Sequence, residues 1–222
     1  MGTEAAIRMD RMYRRQRHIY DLTRKYFLFG RDTLIDELDP PAGAHICEMG
    51  CGTARNLIRI ARLYPGRPLY GIDASGEMLR TAAARLARAG LTKRVSLRHG
   101  LAQAAESYAQ FGPPPGADGR GFDIVMLSYV LSMVPDWRGA LDTAVRALRP
   151  GGVLHIVDFG DVQTLPWPLN AGLSAWLAHF EVTPRPRAID RLDALRAGGL
   201  GRLETRTILG GYAILARFAR AG

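Results

Sequence analysis

Cysteine is scarce in this chain. Two residues, Cys47 and Cys51, occur among 222. They stand four positions apart with no second Cys/His cluster, which argues against a zinc site and a disulfide framework and fits a reducing cytoplasm. Long apolar runs are also missing. None reaches the roughly 18–20 residues that a membrane-spanning helix requires. The first thirty residues carry arginine throughout and lack an apolar core, so no secretory signal is expected. Lysine is nearly absent, with Lys25 and Lys93 the two members of a set of 30 basic residues. An arginine-for-lysine bias of this kind also follows from base composition, and by itself says little about function. Hydrophobic residues at 47% and charged residues at 23% exclude disorder. The length suits one domain with a small appendage.

What is abundant is positive charge. The net charge is +9, which suits nucleic acid, an anionic membrane surface or an acidic substrate. The charge is concentrated. Residues 1–31 hold eight basic and three acidic side chains, in a prefix rich in Met, Tyr and Arg whose apolar residues suit helices. A solvated helix face accounts for this as well as a docking surface does. Pro40-Pro41 closes the prefix. From there short apolar runs alternate with helical stretches: strands at 45–49, 69–73, 95–98, 122–128 and 153–159, helices at 54–64, 76–89, 101–110 and 137–148. This rhythm predicts an α/β fold with a mostly parallel sheet and helices on both faces. After residue 160 the pattern changes. Residues 161–187 hold prolines, two tryptophans and apolar positions 169, 173, 176, 177 and 180 at helical spacing. A helix is expected at 188–197, then strands at 203–209 and 212–218 joined as an antiparallel hairpin through Gly210-Gly211.

The chemistry concentrates at Glu48-Met49-Gly50-Cys51-Gly52-Thr53-Ala54-Arg55-Asn56. A strand runs into a glycine turn that opens a helix, where backbone amides meet a ligand closely. The third glycine of the dinucleotide fingerprint is absent, which counts against a nicotinamide cofactor. Asp73 ends the next strand and is placed to accept both hydroxyls of a ribose. Capping the helix at 76 is the alternative role.

Glu48-x-Gly50-x-Gly52-Thr53-Ala54-x-Asn56, Gly71-Ile72-Asp73-Ala74-Ser75, Phe122-Asp123-Ile124-Val125 and Leu148-Arg149-Pro150-Gly151-Gly152 together resemble class I S-adenosylmethionine-dependent methyltransferases over residues 44–160. Ala54 is a departure, since many members carry glycine there. The resemblance implies a Rossmann-like fold, S-adenosylmethionine as cofactor and no metal. It implies that Glu48 orients the methionine amino group, that Gly50, Cys51 and Gly52 pass under the ligand, and that Asp73 holds the ribose. Ala74, Met78, Gly100 and Leu101 would lie near the adenine, Asn56 would support the turn, and Ser128 and Tyr129 would stand beside the sulfonium.

The prefix, from Met9-Asp10-Arg11-Met12-Tyr13 through Gln16-Arg17-His18-Ile19-Tyr20-Asp21 to Gly30-Arg31-Asp32, and the run Ser128-Tyr129-Val130-Leu131-Ser132-Met133-Val134-Pro135-Asp136-Trp137 resemble the bacterial betaine-lipid methyltransferases. That family converts diacylglycerylhomoserine to its N,N,N-trimethyl form. Under this resemblance residues 1–43 form a helical cap over the site, 44–222 the methyltransferase domain, and 161–187 a lipid-facing lid. The enzyme would work on the cytoplasmic side of the inner membrane, peripherally attached to its anionic surface. It would act after an aminocarboxypropyltransferase. Tyr20, Tyr129 and His155 are the catalytic candidates, with Tyr20 and Arg31 also at the cofactor; His18 and Asp158 are further proton acceptors. Tyr20, Tyr26, Tyr129 and Trp137 could face the methylated cation, since aromatic faces attract it without needing N–H donors. Arg31, Arg185 and Arg187 are candidate partners for carboxylates. Phosphatidylethanolamine, small amines and quinones are alternative acceptors. Nucleic acid is not expected, because no Asn/Asp-Pro-Pro-Tyr tetrad follows the fourth strand and no nucleic-acid module is present.

Overall fold

A computed structural model describes residues 28–112, 121–161, 166–179, 182–185 and 187–222. The expected helices of the prefix before residue 28, with His18, Tyr20 and Tyr26, lie outside the described residues. The described chain runs α1 (Arg31–Asp36), β1 (Ile46–Met49), α2 (Arg55–Leu63), β2 (Leu69–Asp73), α3 (Gly76–Arg88), β3 (Val95–His99), α4 (Ala105–Ala109), β4 (Phe122–Ser128), α5 (Trp137–Ala147), β5 (Leu148–Phe159), α6 (Leu169–His179), α7 (Ala188–Ala197), β6 (Gly201–Ile208) and β7 (Ala213–Arg220). The strands form one sheet in the order β3-β2-β1-β4-β5-β7-β6. The first five are parallel, and β7 inserts antiparallel between β5 and β6. This is the expected Rossmann-like architecture with its antiparallel C-terminal hairpin.

Alternation along the strands builds two cores. Ile124 and Met126 of β4 face one, Val125 and Leu127 the other. The first core is closed by Leu34 and Ile35 of α1, Leu57 and Ile60 of α2, Met78 of α3, and Leu173 and Leu177 of α6. The second is closed by Tyr108 of α4, Trp137 and Leu141 of α5, and Leu192 of α7. With both faces covered, central strands such as β1 are buried throughout, as parallel sheets require. The chain moves outward from β1 to β3, then returns to β4 on the other side of β1. That reversal opens a crevice at the carboxyl ends of β1 and β4, where open α/β sheets bind ligands.

Three expectations change. Helix at 101–110 shortens to Ala105–Ala109, because the Gly100 N–H is bonded across to the Asp73 carbonyl at 3.0 Å and the chain turns before it can coil. Strand β5 starts at Leu148 rather than 153. Leu148 pairs with Phe122 and Val153 with Ile124, so Arg149–Gly152 bulge between them, and Arg149 Nε donates to Asp123 Oδ1 at 2.6 Å. The helical apolar face of 161–187 is partly core: Leu173 and Leu177 are buried in the first cluster, while Trp167 is 83% exposed.

Phe218 is fully buried in the second core and ties β7 to it. Phe218→Ala is expected to destabilise the fold by about 3–5 kcal/mol, read from the shift in a urea unfolding midpoint at unchanged slope.

Candidate active site

The turn after β1 is wound by three left-handed residues at alternate positions: Gly50 (φ 65°), Gly52 (φ 52°) and Ala54 (φ 59°). A Cβ on Gly50 would stand 2.6 Å from Val130 Cγ2 in the loop that leaves β4, so the close approach of the two loops requires glycine. Ala54 holds a conformation that costs an alanine about 1–2 kcal/mol, and it sits where the resembling family often has glycine. The Cys51 N–H donates to the Ile72 carbonyl at 3.0 Å. Its thiol is buried and pushed well up by desolvation, so it packs and does not react.

Two carboxylates anchor this turn. Glu48 is 1% exposed, and its Oε1 accepts from Asn56 Nδ2 at 2.6 Å. Asp73 Oδ2 accepts from Gly52 N at 2.7 Å, and its Oδ1 from Ser75 N at 2.9 Å. Ser75, not Asp73, caps α3, its Oγ accepting from Met78 N at 3.3 Å. The capping role that the sequence offered for Asp73 thus falls to Ser75. Ala74 and Met78 are buried beside Asp73 at the start of α3, and Gly100 and Leu101 follow β3 on the same rim. On the other side of β1, Ser128 ends β4 with its Oγ buried and lacking a hydrogen-bond partner among the described residues. Arg31, Glu48, Gly50, Cys51, Gly52, Thr53, Arg55, Asn56 and Ser128 line a single cleft.

Some expected residues lie elsewhere. Tyr20 is outside the described residues. Tyr129 is next to the cleft with φ 56°, but its hydroxyl donates to the Phe29 carbonyl at 2.6 Å and its ring packs edge-on against Phe159. Burial, followed by the nearby Asp158 charge, drives its phenol far up, so it is a tether rather than a proton acceptor. His155 is not at the cleft. It lies on β5 three residues before Asp158, paired with Met126 and Arg217, and lines a separate depression with Leu34, Glu37 and Arg206. Burial, with Arg217 adding to it, pushes its pKa down to about 4. The strand register counts residues correctly but places His155 too far from the carboxyl end. Trp137 is buried in the second core with Arg138 over its ring.

Other residues at the site were not singled out from sequence. Arg55 clasps Asp32 through two hydrogen bonds of 2.6 and 3.0 Å, and Arg59 reaches Asp36 at 2.8 Å. These pairs lay α1 across α2 and bring Arg31 to the cleft. The signal was present as matched i,i+4 spacing, acids at 32 and 36 facing arginines at 55 and 59. Tyr212 stands at the start of β7, and because β7 is antiparallel this is the carboxyl end of β5. Its ring meets Phe29 at 5.2 Å and Phe159 at 5.9 Å between centroids. Asp158 is fully buried beneath this group. Its Oδ2 accepts from Ser132 N at 3.2 Å and its Oδ1 from Phe159 N at 2.8 Å, while burial pushes its pKa up to about 6.

The fold is the Rossmann-like one of class I methyltransferases. Residues 47–154, just under half of the chain, match the methyltransferase domain family. It is 33% identical over 136 residues to nocamycin O-methyltransferase of Saccharothrix syringae, covering 60% of this chain and 45% of that protein. It is 31% identical over 140 residues to trans-aconitate 2-methyltransferase of Pseudomonas aeruginosa, covering 62% and 45%. The matches thus span under half the length of these relatives. An O-methyltransferase family protein from Burkholderia thailandensis shares the fold, with a TM-score of 0.66 at 18% identity over 86% of this chain and 55% of that one.

The residues fit S-adenosylmethionine. The cleft offers the buried Glu48 carboxylate for an ammonium and a buried Ser128 oxygen with no partner among the described residues, and Asp73, bonded to Gly52 of its lining, is a carboxylate for hydroxyls. Asp73→Ala is expected to weaken S-adenosylmethionine binding 10–100-fold by calorimetry, since it removes both the ribose acceptor and the anchor of Gly52. Asp158 titrates higher folded than unfolded, so it lowers stability as pH rises from 4 to 6. His155 titrates lower folded than unfolded and acts oppositely, losing stability as pH falls from 6.5 to 4. The difference between wild type and Asp158→Asn isolates the carboxyl: wild type should lose about 2 kcal/mol relative to the variant between pH 4 and 6, measured by denaturant unfolding at each pH.

Proposed function

We propose that this chain is an S-adenosylmethionine-dependent N-methyltransferase that carries diacylglycerylhomoserine to its trimethyl betaine form at a membrane surface. The observation that carries the methyl-transfer part is the placement of Glu48 and Asp73 near the ends of adjacent strands β1 and β2, Asp73 bonded to Gly52 of the glycine turn and Glu48 to Asn56 of the helix that the turn opens. The betaine-lipid part is supported by the basic, aromatic prefix and by the run from Ser128 to Trp137, which resemble that family. It is also supported by Trp167, 83% exposed at the head of α6, a helix with no Lys, Arg, Asp or Glu. Each basic residue near an anionic surface adds roughly 1 kcal/mol, and an exposed indole suits the headgroup region. Among the described residues no helix is long and apolar enough to cross a membrane. The proposed location is the cytoplasmic membrane surface, and the supplier of the substrate would be an aminocarboxypropyltransferase.

Bound S-adenosylmethionine supplies an electrophilic methyl group on a sulfonium, which an amine takes by in-line displacement. The chain's part is placement and exclusion of water. Glu48 and Asp73 would hold the amino and ribose groups of the cofactor, and the turn from Gly50 to Gly52 would pass beneath it. Ser128 ends β4 beside the reacting region. The tether from Tyr129 to Phe29 fastens residues 28–30 against the site, and Phe29, Tyr129, Phe159 and Tyr212 form an aromatic wall on the acceptor side. A second reading is O-methyl transfer to a small hydroxylated or carboxylic acceptor. It is favoured by the two relatives above, whose names specify such reactions.

The test is methyl transfer from labelled S-adenosylmethionine with diacylglycerylhomoserine and phosphatidylethanolamine presented separately in anionic vesicles, followed by mass analysis. The expected product is the homoserine lipid heavier by one, two and three methyl groups. Absence of lipid product together with methylation of a small acid or phenol would replace this reading by the second.

A further inference from the structure

The stretch between α6 and α7 changes sides of the sheet. Val182 is buried in the first core with Phe159 and Tyr212, and Ala188 in the second with Leu141. Between them the Thr183 N–H donates to the Ser132 carbonyl at 3.0 Å, in the loop that leaves β4. The chain therefore passes outside the carboxyl ends of the strands, on the rim that carries Ser128 and Tyr129.

Arg185 stands in this passage. It is half-buried, its Nε is shut off from solvent without a hydrogen-bond partner, and among the described residues it joins no ion pair. Several other arginines are matched: Arg191 with Asp142 at 2.8 Å, Arg149 with Asp123 at 2.6 Å and Arg55 with Asp32 at 2.6 Å. A guanidinium cannot shed its proton to relieve its burial. Holding it partly desolvated with no counter-charge is costly, and an unsatisfied buried polar atom in a native fold calls for a reason. The two other arginines singled out in the sequence lack this signature. Arg31 Nε donates to the Leu28 carbonyl at 3.2 Å, and Arg187 is exposed.

We infer that Arg185 binds an anionic group of the methyl acceptor, a carboxylate or a phosphate, at the rim of the cofactor cleft. The planar fork of arginine suits either group bidentately. The inference rests on the methyl-transfer reading of the cleft and adds to it an acceptor that carries a negative charge close to its nucleophile. The homoserine lipid has such a carboxylate beside its amine, and phosphatidylethanolamine has a phosphate.

Arg185→Gln and Arg185→Lys, each checked by calorimetry for S-adenosylmethionine affinity, separate the roles. With diacylglycerylhomoserine in anionic vesicles, Arg185→Gln should raise KM 10–100-fold and affect kcat far less, with partial recovery in Arg185→Lys. Wild type should prefer the free carboxylate over its methyl ester, and Arg185→Gln should lose that preference. Use of phosphatidylethanolamine with the same KM response would assign the phosphate instead. A second readout does not depend on the acceptor. With S-adenosylhomocysteine saturating, malonate or inorganic phosphate should raise the melting temperature of wild type saturably and of Arg185→Gln little or not at all. If neither lipid is methylated, the lipid reading fails while this titration still decides the role of Arg185. An equal anion response in the two proteins, or an unchanged preference for acid over ester, overturns the inference.

Discussion

The Asp73 carboxylate, held by the Gly52 and Ser75 N–H groups, is the junction on which the site depends. One oxygen reaches back to the turn after β1, and the other steadies the entry to α3. A charge 8% exposed persists because hydrogen bonds replace the water it has lost. The consequence is mechanical as well as electrostatic. The glycine turn cannot shift without releasing Asp73, and Asp73 cannot swing without leaving two backbone donors unsatisfied.

The opposite half of the rim is organised differently. There aromatic rings surround a buried acid. Asp158 accepts two backbone N–H groups and fixes the loop from Tyr129 to Ser132. Tyr129 in turn holds the Phe29 carbonyl, and the pairs between α1 and α2 hold the next turn of chain. Residues 28–36 are thus fastened at both ends, by one hydrogen bond to the sheet rim and by two arginine–aspartate clasps to α2. Exposed ion pairs are individually weak. Bidentate geometry at the Arg55–Asp32 clasp and its repetition one turn further on make their value geometric: they fix where Arg31 stands.

Much of this was legible because burial imposes period. The strands β1, β2 and β4 read as apolar runs, and Glu48 and Asp73 stood out as acids at the ends of runs that bury everything else. What period does not encode is depth along the strand. His155 has the parity of Val157 and Phe159, so it lies on the same face, yet it sits below the carboxyl end. Trp137 follows a run that begins at the site, but the chain turns at Asp136, whose side chain caps α5, and the indole goes to the other face. The start of α4 was missed for a similar reason: the hydrogen bond from Gly100 to Asp73 is long-range, and helix propensity at 101–104 yields to it. Residues that act through pairing, such as Arg55 and Arg59, carried a spacing signal that becomes decisive once the partner helix is known.

Charge ties the local and global readings together. The net +9 of the chain is uneven, with +5 in residues 1–31. Within the folded body many arginines are neutralised where they stand, by Asp32, Asp36, Asp123, Asp142 and Glu37 among others. Two electrostatic tasks can then be separated by location. Attraction to an extended anionic surface needs several charges of one sign and is screened within about 8 Å at physiological salt, a task that the basic excess in the sequence of residues 1–31 suits. Recognition of a single carboxylate needs one cation in a low-dielectric setting, where screening is weak and geometry decides, which matches Arg185. Raising ionic strength should therefore weaken the first while leaving the second largely intact, and an acceptor that is both membrane-borne and anionic beside its amine is the kind that uses both.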